Sequence, residues 1–434
     1  MRILLKGFTI LPAAGGPEED LSLVIEGERI ARIGSSAELA GGPFDRVIEG
    51  RGKLVMPGLV NAHTHLAMVL FRGYADDLPL STWLEEAIWP AERDLKPQEV
   101  YWASLLGIAE LLRSGVTAFA DMYLFMDEVA RAVEESGIRA QLAYGLIAAD
   151  RAEEERELAK GLELVDRWQG AAGGRLQVAL GPHAPYTCGA GLWQRAAELA
   201  QERGLMLQTH LAETEDEVAE SYKNHGKSPV EYLEGLGVLA APVLAAHCVH
   251  LSDKDIEILA EHGVHVVHNP TSDMKLGSGI APVERLLEAG VNVALGTDGA
   301  ASNNDLDMWE ELRLAALLAK VGGDPTALPA PRALQLATVN GARALGLEET
   351  GELKEGMVAD LIILDLDRPH LVPQHDLAAN LVYAAHASDV ETVLVAGEIL
   401  MENREIKRFD EGEVKGKVRE ISRKYSEGRD KKEE

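Results

Sequence analysis

Leu59-Val60-Asn61-Ala62-His63-Thr64-His65 runs from a short apolar stretch directly into two histidines. In an extended strand, side chains two positions apart point to the same side. Both imidazoles therefore aim at one point, where nitrogens of this type bind zinc at ~2.0–2.1 Å. An isolated His-x-His proves little, so the weight of the reading comes from the rest of the chain.

Downstream, strand-like segments recur at 117–121, 140–144, 177–180, 206–209, 243–246, 264–267 and 292–295, which with 59–62 makes eight. Helical spacing of apolar residues separates most of them, as at 100–112, 192–202 and 253–261. Strand–helix alternation implies a parallel sheet with right-handed crossovers, and eight such units close into a (β/α)8 TIM barrel. Chemistry on that scaffold sits at the carboxyl ends of the strands. Here those ends carry His63 and His65, then Gly181-Pro182-His183, His210 with Glu213 three residues on, His247, His268, and Thr297-Asp298-Gly299. A ring of buried polar groups is hard to explain by packing, because each needs a partner. His63, His65, His210 and Asp298 form a coherent metal-ligand set.

Residues 1–56 read as short strands between Gly, Pro and acidic turns, and 351–408 read the same way. This predicts a small β-sandwich domain built from both termini, around a barrel over 57–350. Residues 409–434 are charged throughout and predict a solvated helix or tail. The connection at 66–98, with Trp83 and Trp89, is long enough to act as a lid or binding loop.

The 434 residues carry a net charge of −29, with 71 acidic against 42 basic side chains, which excludes phosphate-backbone binding as the main business of this surface. Two cysteines, Cys188 and Cys248, give no disulfide framework and fit a reduced, cytoplasmic setting. No apolar run reaches the ~20 residues of a membrane helix. There is no HExxH helix, no PCxxC zinc motif and no phosphate-loop lysine pattern. No lysine stands at the fourth strand end to bridge two metals, so one Zn2+ per subunit is expected. Homo-oligomerisation is left open.

The segments PGLVNAHTH (57–65), HLAET (210–214), AHCVHL (246–251), HNPTSDMKLGSG (268–279) and LGTDGAASNN (295–304) resemble the amidohydrolase superfamily. Within it they are most similar to the 5′-methylthioadenosine/S-adenosylhomocysteine deaminases. The resemblance covers nearly the whole chain. It implies a zinc-dependent deaminase that converts an adenine ring to the inosine-type product plus ammonia. By that resemblance His63, His65, His210 and Asp298 match the metal ligands. Glu213 matches the proton-shuttling acid and also contacts the substrate, as does Asp298, which takes the proton of the attacking water. His247 matches a histidine near that water, and His183, in GPHAPY (181–186), a substrate contact. Glu92, in WPAERDL (89–95), matches an acid that binds ribose hydroxyls. An arginine upstream of Trp168 would meet a homocysteine carboxylate; Arg156 is the expected one, with Arg151 as the alternative. Guanine or cytosine deamination, a chlorohydrolase activity, and a non-enzymatic metal-binding role are the competing readings.

Overall fold

The structure is a computed structural model that describes residues 1–12, 16–39, 41–148 and 150–433. Strands Leu59–Thr64, Val116–Tyr123, Arg139–Leu146, Leu176–Pro182, Leu207–Leu211, Val243–His247, His265–His268 and Asn292–Leu295 form one parallel sheet in chain order. Each lies within two residues of its expected start. Helices return the chain along the outside. Pro97–Ser114 is typical: proline opens the first turn, Glu99 accepts from the Lys96 amide at 3.1 Å, and Gly115 ends the helix at φ 90°.

Small side chains fill the barrel interior, among them Val60, Ala62, Ala118, Ala120, Val267 and Ala294. They leave room for one buried amide pair, Gln208 Nε2 donating to Gln141 Oε1 at 2.9 Å. The seam between the first and eighth strands is closed by a side chain. Asn61 Nδ2 donates to Thr297 Oγ1 at 2.8 Å, and the Thr297 amide donates to Asn61 Oδ1 at 3.1 Å. Next to this pair the Asp298 amide donates to the His63 carbonyl at 3.0 Å. The seam therefore places Asp298 beside the His-x-His pair.

The termini build a second, mixed sheet of nine strands. Lys53–Pro57 and Leu361–Asp365 pair antiparallel and join its amino- and carboxyl-terminal parts. The sheet is continuous and folds around one apolar core drawn from both parts, including Leu5, Phe8, Ile25, Leu361, Ile363 and Leu394. The amino-terminal part supplies the strands Arg2–Ile10, Glu18–Glu26, Arg29–Ser35, Arg46–Glu49 and Lys53–Pro57. A buried ion pair, Arg139 Nε to Asp360 Oδ2 at 2.8 Å, ties this sheet to the third barrel strand. Asp360 Oδ1 also accepts the Ala396 amide, so the carboxylate is well satisfied.

Two expectations change. The long connection after the first strand is a series of short helical turns, Leu66–Phe71, Leu80–Thr82, Trp83–Ile88 and Trp89–Glu92, with Leu66–Phe71 wholly buried. The charged tail is the helix Glu411–Glu433, and it is not solvated on every side. Val414, Val418 and Tyr425 are buried, and the Tyr425 ring lies 5.1 Å edge-on from Phe71 while its hydroxyl donates to Glu99 at 2.8 Å. The charges occupy one face and hide an apolar stripe on the other. No helix among the described residues is long and apolar enough to cross a membrane.

Candidate active site

His63, His65, His210 and Asp298 meet at the carboxyl end of the barrel. His63 Nε2 lies 3.4 Å and His65 Nε2 3.3 Å from Asp298 Oδ1, and the Nε2 atoms of His65 and His210 are 3.2 Å apart. Tetrahedral ligands at ~2.0–2.1 Å from one ion stand about 3.3–3.4 Å from each other. Two of these atoms, His63 Nε2 and Asp298 Oδ1, are buried and have no hydrogen-bond partner. Such orphans are costly unless something satisfies them, and one cation would satisfy both.

Neighbouring groups orient the set. His65 Nδ1 donates to the Met122 carbonyl, and His210 Nδ1 donates to the His183 carbonyl at 2.8 Å. Each bond fixes the tautomer that leaves Nε2 with a free lone pair. Burial, aided by the neighbouring histidines, holds His210 well below its usual range, and burial takes His63 down to about 4. Both rings are neutral at pH 7, as metal ligation requires. Asp298 Oδ2 accepts from Ser272 and Ser302, each at 2.7 Å, which leaves Oδ1 for the ion. Burial pushes the Asp298 carboxyl up, but the His63 contact and the surrounding imidazoles hold it well below 3.8. Its backbone is left-handed, at φ 61°, a strain seen again at His247 with φ 72°.

Beside the ligand set stand two further ionisable groups. Glu213 is buried, and burial raises its carboxyl to about 7. Its backbone amide donates to Glu217 Oε2 at 2.8 Å, which fixes the turn after the fifth strand. His247 Nε2 lies 3.9 Å from Glu213 Oε2, and its Nδ1 donates to Asp273 Oδ1 at 2.8 Å. Burial opposes charge on His247, but Glu213 and Asp273 outweigh it and raise the ring to about 10.

A cavity opens over this centre. His183, Glu92, Glu213, His247 and Asp298 all face it, so five expected site residues share one space with the candidate ligands His65 and His210. Burial raises the Glu92 carboxyl, partly offset by Tyr123 and His65. His183 is anchored by Thr187 Oγ1 at 3.0 Å, and burial lowers it to about 3.

Arg156 is not brought to this space. It lies on the helix Arg151–Trp168, where its guanidinium pairs with Glu153 at 3.4 Å and Glu157 at 3.5 Å. Arg151 is 90% exposed and pairs with Glu155. Neither lines the cavity, because the acid-rich helix holds both guanidinia at its own surface. His268 is buried 3.6 Å from Asp273 and does not line the cavity.

Four supporting residues were not singled out from the sequence. Asp121, at the end of the second strand, accepts from the Leu66 amide at 2.7 Å and from Thr64 Oγ1 at 3.0 Å, pinning the turn that follows His63 and His65. Asp273, Ser272 and Ser302 hold His247 and Asp298 as described above. Asp121 was visible as another acid at a strand end. Ser272 and Asp273 sit inside the segment 268–279, directly after the seventh strand.

Residues 54–400 match the amidohydrolase family. Over 429 residues the chain is 51% identical to a 5-methylthioadenosine/S-adenosylhomocysteine deaminase of Syntrophomonas wolfei, covering 98% of this chain and 99% of that one. It is 52% identical to a 5′-deoxyadenosine deaminase of Methanosarcina mazei, covering 95% of each chain. Among solved structures, a zinc-bound adenosine deaminase from Xanthomonas campestris superposes with a TM-score of 0.94 at 36% identity, covering 98% of both chains.

Proposed function

This chain belongs to the amidohydrolase family, and from that premise we propose that it is a zinc-dependent deaminase of 5′-modified adenosines, 5′-methylthioadenosine and S-adenosylhomocysteine among them. The product is the inosine-type nucleoside plus ammonia. One observation carries the reading: a protonatable, buried Glu213 shares a cavity with His65, His210 and Asp298, which converge with His63, and two atoms of that set, His63 Nε2 and Asp298 Oδ1, are buried without a partner.

His63, His65, His210 and Asp298 would hold one Zn2+ per subunit, which would supply Lewis-acid activation of water, lowering its pKa toward ~7. Glu213 carries a proton near pH 7 and donates it to N1 of the adenine, which becomes basic as C6 turns tetrahedral. His247, whose positive charge Asp273 stabilises, donates from Nε2 toward the attacking oxygen and stabilises its charge. Asp298 takes one proton of the attacking water and returns it to the departing amine, so that ammonia leaves, while the proton of the C6 hydroxyl returns to Glu213 as the C6 carbonyl forms. His183 contacts the base, and Glu92 accepts from the vicinal ribose hydroxyls.

The cytoplasmic setting and the exclusion of nucleic-acid partners belong to the same proposal. They are supported by two free, buried cysteines and by a net charge of −29. The test is a screen of zinc-loaded protein against adenosine, its 5′-modified forms and guanine, following the adenine-to-hypoxanthine absorbance change and ammonia release. Ammonia from an adenine nucleoside at a zinc content near one per chain supports the reading. Ammonia from guanine alone, or from nothing, removes it.

A further inference from the structure

The deaminase reading leaves the 5′ end of the nucleoside in a distinctive environment, and the following inference rests on that reading. With the base at Glu213 and the ribose at Glu92, the remaining walls include Trp83, Leu84, Ile88, Trp89, Ile147 and Leu276, and the uncharged phenols Tyr123 and Tyr186 are the polar side chains left among them. None of these wall residues carries a charge. The Trp83 indole N–H already donates to the Ala75 carbonyl at 3.1 Å, so that ring offers a ligand only its face. Outward, the cavity shares Leu84, Trp89, Tyr186 and Leu276 with a groove whose rim carries Glu85, Glu215, Asp216 and Glu220.

No lysine or arginine lines either space among the described residues. His250, at the rim, is occupied by the Ser278 carbonyl, 2.6 Å from its Nε2. On the helix Arg151–Trp168, Arg156 pairs with Glu153 and Glu157, and Lys160 pairs with Glu157 at 2.7 Å. A carboxylate on a long 5′ substituent would thus leave water for an apolar wall and an acidic rim without a counter-charge. Both changes are unfavourable. A thioether sits well against aromatic rings.

We infer that this site is selective for adenosines whose 5′ group carries no carboxylate, methylthio or hydrogen among them, over those whose 5′ chain ends in an amino-acid carboxylate. The acidic rim and the apolar wall together set that preference.

The experiment measures kcat/KM of the zinc-loaded enzyme on four nucleosides. These are 5′-methylthioadenosine, 5′-deoxyadenosine, S-adenosylhomocysteine and its decarboxylated analogue, 5′-(3-aminopropylthio)-5′-deoxyadenosine. The expected result places S-adenosylhomocysteine at least about tenfold below 5′-methylthioadenosine, a factor equivalent to one unpaired polar contact. Removing the carboxylate is expected to restore most of the loss. S-adenosylhomocysteine turned over as well as 5′-methylthioadenosine overturns the inference while leaving the deaminase reading intact. A decarboxylated analogue as poor as its parent also overturns it, because chain length and not charge would then decide. Ammonia from none of the four defeats the deaminase reading itself, and the inference with it.

Discussion

Asp273 Oδ1 accepts the His247 Nδ1 proton at 2.8 Å, and this one contact decides which nitrogen of His247 faces Glu213 and the cavity. Asp273 is itself fully buried and sits in the short helix Pro270–Lys275 after the seventh strand. Asp273→Asn keeps the size but removes the charge and allows the opposite tautomer. The expected outcome is a loss of about 10²-fold in kcat, the upper range for a group orienting an active-site histidine, with KM little changed. Zinc content should stay at the wild-type level, because no candidate ligand contacts Asp273. A variant with wild-type kcat would show that His247 keeps its orientation by other means.

The contrast between Asp273 and His63 shows what the sequence could reveal. His63 and His65 are legible because strand geometry alone places them on one side, and strand–helix alternation tells which end of the strand matters. Ser272 and Asp273 lie in the six-residue helix Pro270–Lys275 and Ser302 on a turn, segments too short for periodicity to tell where a side chain points. Arg156 failed to reach the cavity for a related reason. Its helix carries Glu153, Glu154, Glu155 and Glu157, and a flexible guanidinium settles on the nearest carboxylates. The carboxyl-terminal helix misled in the opposite direction. Its charges are conspicuous, while Val414, Val418 and Tyr425 form a sparse stripe whose partner, Phe71, lies more than three hundred residues away in the chain.

Glu213 gives a pH dependence with a definite sign. Burial raises its carboxyl to about 7, so the proton it must donate is present below that pH and absent above it. kcat/KM is therefore expected to fall as the pH rises through about 7. Glu213→Gln should lower kcat by ~10²–10⁴, the usual worth of a general acid, and should abolish that limb of the profile. A pH–rate profile of both proteins checks this; a limb that persists unchanged in the variant assigns the titration to another group.

Glu92 faces the cavity with its carboxyl raised by burial, so it is poorly hydrated before substrate arrives. Vicinal hydroxyls would satisfy it. Adenosine is expected to exceed 2′-deoxyadenosine in kcat/KM by about 10²-fold, in line with a lost hydrogen bond to a charged group. In Glu92→Ala the two substrates should converge, chiefly through a poorer adenosine. Equal rates on the two nucleosides with the wild-type enzyme would remove Glu92 from ribose recognition.

Chelation should act on stability as well as on activity. His63 Nε2 and Asp298 Oδ1 are buried without a hydrogen-bond partner in the protein, so a bound cation would be their partner. A ligand that binds only the folded state, present at a thousand times its Kd, adds about 4 kcal/mol. Thermal unfolding before and after chelation should show Tm falling together with deaminase activity, and added zinc should restore both. Retention of full activity at a metal content near zero would rule out the metal-dependent chemistry.

Asn61 offers a test of how the fold builds the site. Its amide is the polar seam between the first and eighth barrel strands, bonding Thr297 through both Nδ2 and Oδ1. Asp298 follows Thr297 directly, and its own amide reaches the His63 carbonyl. Asn61→Leu conserves volume but leaves the buried Thr297 amide and hydroxyl without these partners. That should cost about 1–3 kcal/mol in denaturant unfolding. Because the same seam sets the spacing of His63, His65 and Asp298, zinc affinity should also weaken by about 10–100-fold, although Asn61 touches no metal. Zinc titration of the purified variant separates the two effects. Reduced stability with unchanged zinc affinity would mean that Ser272 and Ser302, which both donate to Asp298 Oδ2, hold the carboxylate in place without help from the seam.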